Sequence, residues 1–240
     1  MTGDGVLRET RSGRVAILEL NRPAKLNALS PELVDALRRA VEAAGRDESV
    51  GCLLIAGAGR AFCAGGDLAA MLAMDGDALA FRSYIASIQA LALAFRHVDK
   101  PTVAAVQGHV LAGGFELALA CDLRIAAAGT TFGLPDTALG LSPTSGMTWL
   151  LPRVVGEAWA RHLLLTGETI DAATARHIGL VTRVVAATAL ADEALALAAA
   201  VAAHPPRGLA GIRSGLRLAS EHPFEDALAA ELEAEVACFQ

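Results

Sequence analysis

Three stretches of this chain place glycines within a few residues of a carboxylate. In Gly57-Ala-Gly-Arg-Ala-Phe-Cys-Ala-Gly-Gly-Asp-Leu68, adjacent Gly65 and Gly66 follow an apolar run that reads as a strand. Glycine reaches positive φ without a Cβ penalty, so such a pair lets the backbone approach a ligand closely and point its N–H groups inward. Gly-Gly also occurs in ordinary surface loops, and spacing alone leaves both readings open. The stretch has neither the Gly-Lys-Ser/Thr of a phosphate-binding loop nor the third glycine of a dinucleotide fingerprint. In Val106-Gln-Gly-His-Val-Leu-Ala-Gly-Gly-Phe-Glu-Leu-Ala118, Gly113 and Gly114 would open a helix whose free N–H groups and dipole favour negative charge on a ligand. Glu116 would follow in the first turn, a position that the helix dipole by itself favours for an acid. Its neighbours Phe115, Leu117 and Ala118 imply burial, however, and there an ionised carboxylate without a partner or a task is costly. The third stretch, Thr131 to Thr148, contains Asp136 as its one charged residue, although Pro-Asp is also a common turn pair. Ser142 and Ser145 lie there too, but Gly140-Leu-Ser142-Pro-Thr144 lacks the final glycine of a nucleophile elbow.

Apolar runs rich in β-branched residues at Val15–Leu20, Val50–Ala56, Thr102–Gln107 and Asp122–Ala127 read as the strands that would position these loops. Ser30–Arg46 reads as an amphipathic helix, with Ser30 as N-cap, Pro31 as first helical residue and Leu33, Leu37, Ala40, Val41 and Ala44 on one face. A second helix is expected over Gly76–Arg96. Beyond Pro152 the pattern turns helical, with segments at Gly156–Leu165, Asp171–His177, Ala187–His204 and Phe224–Cys238. Alternating strands and helices define an α/β fold.

With 240 residues, 54% of them hydrophobic and 19% charged, the chain can bury a large core. A net charge of −6 without a Lys/Arg run argues against nucleic acid or an anionic membrane as partner. The longest uncharged runs, Pro101–Phe115 and Thr137–Pro152, are too short and too interrupted for a spanning helix. The four cysteines form no C-x-x-C and the six histidines no H-E-x-x-H, so no metal site is expected. Scattered cysteines and no leader-like start point to a reducing, cytoplasmic setting.

Five segments together resemble the enoyl-CoA hydratase/isomerase, or crotonase, superfamily in order and spacing. They are Asn21-Arg-Pro-Ala-Lys-Leu-Asn-Ala-Leu29; Gly59 through Leu68; Lys100-Pro-Thr-Val-Ala-Ala-Val-Gln-Gly108 with Gly113-Gly-Phe-Glu-Leu117; Leu165-Thr-Gly167; and Gly179-Leu-Val181. The resemblance implies a spiral of ββα units over residues 1–185 and a helical C-terminal region, 186–240, that builds trimers, usually paired into hexamers. It implies an acyl-CoA thioester whose carbonyl oxygen accepts from the N–H groups of Gly66 and Gly113. The adenine part of CoA would lie against Ala64–Leu68, including Ala64, Gly65, Asp67 and Leu68, with Ala24, Lys25 and Leu26 near its pantetheine and phosphates; Gly114 is a further substrate-binding residue. No separate cofactor is implied, since coenzyme A is part of the substrate.

In family hydratases two glutamates hold one water. Glu116 matches the first of them. Asp136 stands at the second and is shorter by one methylene, which sets its oxygens back by roughly 1–1.5 Å, a displacement that matters to proton transfer. Pro143-Thr-Ser-Gly-Met-Thr148 likewise departs from the usual Pro-Gly-Ala-Gly-Gly-Thr. Family members commonly continue past the position of Gln240 with another helix over the acyl pocket. The expectation is an enoyl-CoA hydratase using Glu116 and Asp136. The alternatives are a Δ3-Δ2 enoyl-CoA isomerase with one working carboxylate, or a CoA-binding protein without catalysis.

Overall fold

The computed structural model describes residues 5–239. Its chain order is β1 (Leu7–Ser12), β2 (Val15–Leu20), α1 (Pro31–Arg46), β3 (Cys52–Gly57), α2 (Leu68–Leu72), α3 (Ala78–His97), β4 (Thr102–Val106), β5 (His109–Leu111) and α4 (Gly113–Ala120). It continues through β6 (Leu123–Ala127), β7 (Thr131–Gly133), α5 (Met147–Thr166), β8 (Ile170–Asp171), α6 (Ala172–His177), β9 (Arg183–Val185), α7 (Leu190–Ala202), α8 (Pro206–Ala219) and α9 (Phe224–Phe239). The larger sheet runs β1-β2-β3-β4-β6-β9 and the smaller β5-β7-β8. Strand β1 is antiparallel to β2, and the rest of the larger sheet is parallel.

Successive turns of the spiral give one strand to each sheet before a helix: β4, β5 and α4, then β6, β7 and α5. The β3 turn follows the same plan, with a single bridge from Cys63 to Val110 in place of its small-sheet strand. Period-two alternation divides the burial. Ala104 and Val106 face the main core between the sheets and helices, while Val103 and Ala105 face the opposite side. That opposite side is covered by α7 through Leu190, Ala194, Ala198 and Ala202, a four-residue repeat that brings one helical stripe onto the sheet. The approach is close enough that a Cβ on Gly51 would stand 2.9 Å from the Ala202 carbonyl oxygen.

Helix α1 matches the sequence pattern: Ser30 accepts from the Leu33 N–H at 3.3 Å, Pro31 is the first residue, and Leu33, Leu37, Ala40, Val41 and Ala44 are buried. Two helices of the C-terminal part depart from it. Helix α5 starts at Met147, with Pro152 inside it, and breaks at Gly156 (φ 79°, ψ 160°), so the expected start at Gly156 is a kink between two helical halves. Helix α8 went unread, its four arginine and proline positions obscuring an apolar stripe. By length and hydropathy α3 could span a membrane, yet Tyr84, Ile88, Leu91 and Phe95 pack one face of it into the main core.

Candidate active site

Buried Asn27 (φ 56°) fastens the loop after β3. Its amide donates to the carbonyls of Ala58 at 2.9 Å and Ala61 at 2.8 Å, while its carbonyl accepts from the Arg22 N–H at 2.8 Å. The Leu29 N–H donates to Gly65 O at 2.8 Å, and the Ala64 N–H to Leu26 O at 3.0 Å. The 24–26 turn and the 64–68 loop, which the resemblance assigns to CoA, are therefore joined; Ala24 and Lys25 are exposed there, and so is Leu68.

The two glycine loops then meet. Gly65 has φ 103°, and a Cβ on it would come within 2.7 Å of the Ala112 Cβ. A Cβ on Gly114 would lie 2.1 Å from the Cys63 carbonyl oxygen. Only backbone without side chains can cross so closely. Of the pair at 65 and 66, only Gly65 takes positive φ; beside α4 the strained residue is Ala112 (φ 48°, ψ −126°), the residue before the helix. The crossing makes neighbours of two amides: Gly66 N lies 3.7 Å from where a Gly113 Cβ would stand. Among the described residues neither N–H donates to a protein acceptor outside regular helices and strands, and Gly113, as first residue of α4, has no partner within its helix.

Asp67 closes this loop. It pairs with Arg22 at 2.8 Å and caps α2 by accepting from Ala69 and Ala70 N–H, each at 3.1 Å. Burial works to raise its pKa, but the Ala70 N–H and the Arg22 guanidinium prevail and hold the carboxyl below its ordinary value. Buried Tyr84 braces the same corner, donating to Leu29 O at 2.5 Å and accepting from the Asp67 N–H at 3.1 Å. Desolvation raises its phenol pKa.

Glu116, 3% exposed in the first turn of α4, accepts from the Thr144 N–H at 2.7 Å, the Thr144 hydroxyl at 3.0 Å and the Ser145 N–H at 3.2 Å. Three donors face it, so its carboxyl oxygens serve as hydrogen-bond acceptors. Asp136 differs. It lies in a 3-10 turn (Pro135–Leu139) and is half-buried, with its Oδ2 enclosed and without a hydrogen-bond partner. Burial pushes its pKa up and the Glu116 charge adds to the rise, against the pull of its own backbone N–H. A small cavity of about 10 Å³, the space of one water centre, lies among Leu29, Ile88, Gly113, Glu116 and Ser145.

The structure thus collects Gly66, Gly113, Gly114 and Glu116 at one place, with Asp136 within electrostatic reach and the CoA-assigned turn alongside. No group of three or more His, Cys, Asp or Glu side chains capable of holding a metal occurs among the described residues. Tyr84, Thr144 and Arg22 went unnoticed as site residues in the sequence. Thr144 could have been flagged, because it replaces a glycine of the usual motif; Tyr84 carries no local signal inside an apolar helix.

A family model described as enoyl-CoA hydratase/isomerase matches residues 10–240. A putative enoyl-CoA hydratase/isomerase, YngF, of Bacillus subtilis is 35% identical over 97% of this chain and 89% of its own length. The 2,3-dehydroadipyl-CoA hydratase of Escherichia coli is 39% identical over 92% of this chain and 86% of its own. Among solved structures, Pseudomonas aeruginosa DspI superposes with a TM-score of 0.94 at 34% identity, covering 100% of this chain and 91% of that one. An enoyl-CoA hydratase from Polaromonas sp. JS666 gives 0.92 at 35% identity, covering 97% and 91%. With the spiral, the crossed glycine loops and the family match in agreement, the chain belongs to the enoyl-CoA hydratase/isomerase family of the crotonase superfamily.

Proposed function

We propose that the chain is an enoyl-CoA hydratase that adds water across the 2,3 double bond of an acyl-CoA thioester. The observation that carries this reading is the contrast between its two carboxylates: Glu116 accepts three hydrogen bonds, whereas Asp136 has an enclosed, unpartnered oxygen and a pKa raised by burial. Pairs of acids held in different environments can divide base and acid work. The thioester oxygen accepts from Gly66 and Gly113 N–H, and each such donor, aimed at the developing enolate, contributes ~3–4 kcal/mol to its stabilisation. Glu116 takes a proton from the attacking water as its oxygen joins the β carbon. Asp136 delivers a proton to the α carbon, and the proton on Glu116 returns to Asp136 to reset the site. No cofactor is needed beyond the CoA of the substrate, which the 24–26 turn and Ala64–Leu68 hold; the proposed setting is cytoplasmic.

A second reading has support from one observation. Three of the roughly four acceptor positions of Glu116 are already occupied by residues 144 and 145, leaving little room for a shared water. An isomerase in which Glu116 alone moves a proton between α and γ carbons fits that. Incubation with crotonyl-CoA and with a 3-enoyl-CoA in deuterated water, followed by mass spectrometry, separates the two. Gain of water with α-deuterium supports the hydratase, conversion of the 3-enoyl-CoA without gain of water supports the isomerase, and no change in either refutes both.

The assembly proposed with this function is a trimer or a pair of trimers. Ile212 and Leu216 on α8 and Leu228, Leu232 and Val236 on α9 expose apolar surface that this subunit leaves uncovered. Light scattering at micromolar concentration is expected to report a trimer or hexamer, and a monomer would refute the assembly.

A further inference from the structure

The small cavity at Gly113 and Glu116 opens toward a much larger one. Ala92, Ala120 and Ser145 line both, so the larger space adjoins the proposed thioester site. Its volume is about 600 Å³, within the range of small-molecule sites. Leu93, Leu119, Trp149 and Leu150 make part of its wall apolar.

The otherwise mostly apolar wall also carries charged groups: Arg96, Arg124, Arg213 and Arg217, against Asp122 and Glu221. Two arginines are matched. Arg213 reaches both Asp122 oxygens, at 3.0 and 2.9 Å, and also caps the carbonyls at the end of α3; Arg96 pairs with Glu221 and lies 4.8 Å over the Trp149 ring. Arg124 and Arg217 have no carboxylate within 4.0 Å among the described residues. Arg124 is 8% exposed and donates only to carbonyls, Leu180 O at 2.7 Å and Cys121 O at 2.5 Å. Arg217 makes two long contacts, 3.4 Å each, to Arg96 O and His97 Nδ1. Four guanidinium groups less two carboxylates leave the wall with two uncompensated positive charges.

A wholly apolar acyl chain filling this space would strip water from Arg217 and leave the buried Arg124 without a counter-charge. A carboxylate at the end of the chain would supply the missing counter-charge to guanidinium donors, which pair well with carboxylates. We propose that the cavity accepts an acyl chain with a carboxylate at its far end, the CoA monothioester of a dicarboxylic acid, read by Arg217 and Arg124. The inference rests on Gly66, Gly113 and Glu116 being the thioester site.

Binding, which needs no turnover, tests it. Isothermal titration of the full chain with hexanoyl-CoA and with its ω-carboxy counterpart, adipyl-CoA, is expected to show at least about tenfold tighter binding of the dicarboxylate. Arg217→Gln should bring the ratio of the two affinities towards one. Glu221→Gln, which releases Arg96 from its partner, should raise it. Because Arg124 is buried and its removal endangers folding, the test relies on these two outer positions. A wild-type ratio of one or below overturns the inference while leaving the thioester reading standing, and so does a preference that neither variant moves. A preference that responds in both directions, in a protein that turns over no enoyl-CoA, sustains the inference and removes the proposed catalysis. If neither thioester binds, both fall.

Discussion

The crossing of the two glycine loops and the α8–α9 hairpin are opposite kinds of structure in one chain. At the crossing, backbone meets backbone so tightly that a single added carbon at Gly114 would overlap the Cys63 carbonyl. In the hairpin, Ala227 is the one buried residue of α9, α8 has none, and Gly215 has nothing within 4 Å of where its Cβ would stand. The first region is complete within the subunit, as the proposed role of holding two N–H groups in place requires, because preorganisation demands rigid surroundings. The second has made its helices but has not covered their apolar faces.

The comparison can be broken at several points, in order of expected effect. Gly114→Ala should be the most damaging, destabilising the fold by about 3 kcal/mol or more because neither backbone can retreat. A denaturant midpoint close to that of the parent would show that the crossing is looser than its geometry indicates.

Gly113→Pro tests the donor rather than the fold. Removing that N–H should lower kcat at least ~10²-fold on whichever enoyl-CoA the protein turns over, in a variant whose circular dichroism is unchanged. Near-normal turnover would exclude Gly113 as a donor.

Asp136 sharpens the account by separating chemistry from stability. Asp136→Ala should abolish hydration of crotonyl-CoA, and Asp136→Glu should retain or raise it by restoring reach; a 3-enoyl-CoA isomerisation depending on Glu116 alone would survive the alanine change. Stability has a sign of its own. Because the folded state raises this pKa, the folded protein binds more protons than the unfolded chain between the ordinary aspartate value and the raised one, so stability falls as pH rises through that window. Asp136→Asn should therefore stabilise the protein at neutral pH and give no gain below the ordinary aspartate range. Equal melting shifts at pH 3 and pH 7 would contradict this.

The smallest effect belongs to the hairpin. Gly215→Ala should stabilise by up to about 1 kcal/mol, since helix propensity rises and the new methyl meets open space. A loss instead would show that another surface packs against that position in the assembled protein.

The local half of this molecule was legible in the sequence. Ser30-Pro31 and the apolar face behind it specify α1, the β-branched runs specify the parallel strands, and Gly113-Gly-Phe-Glu116 specifies a helix opening on glycine with its acid in the first turn. Each of these depends on residues within a few positions of one another, so propensity and periodicity suffice. Motif order carried the family as well. Tertiary structure alone decided the rest. Tyr84 lies 55 residues from the carbonyl it braces, and Thr144 28 residues from the carboxylate it holds. Arg124 and Arg217 meet at one cavity only because α8 folds back across the end of α3. Such contacts join positions whose sequence separation carries no periodic signal; they form when burial of the main core closes the long loops between them, and at that point Glu116 and Asp136 acquire their opposite surroundings.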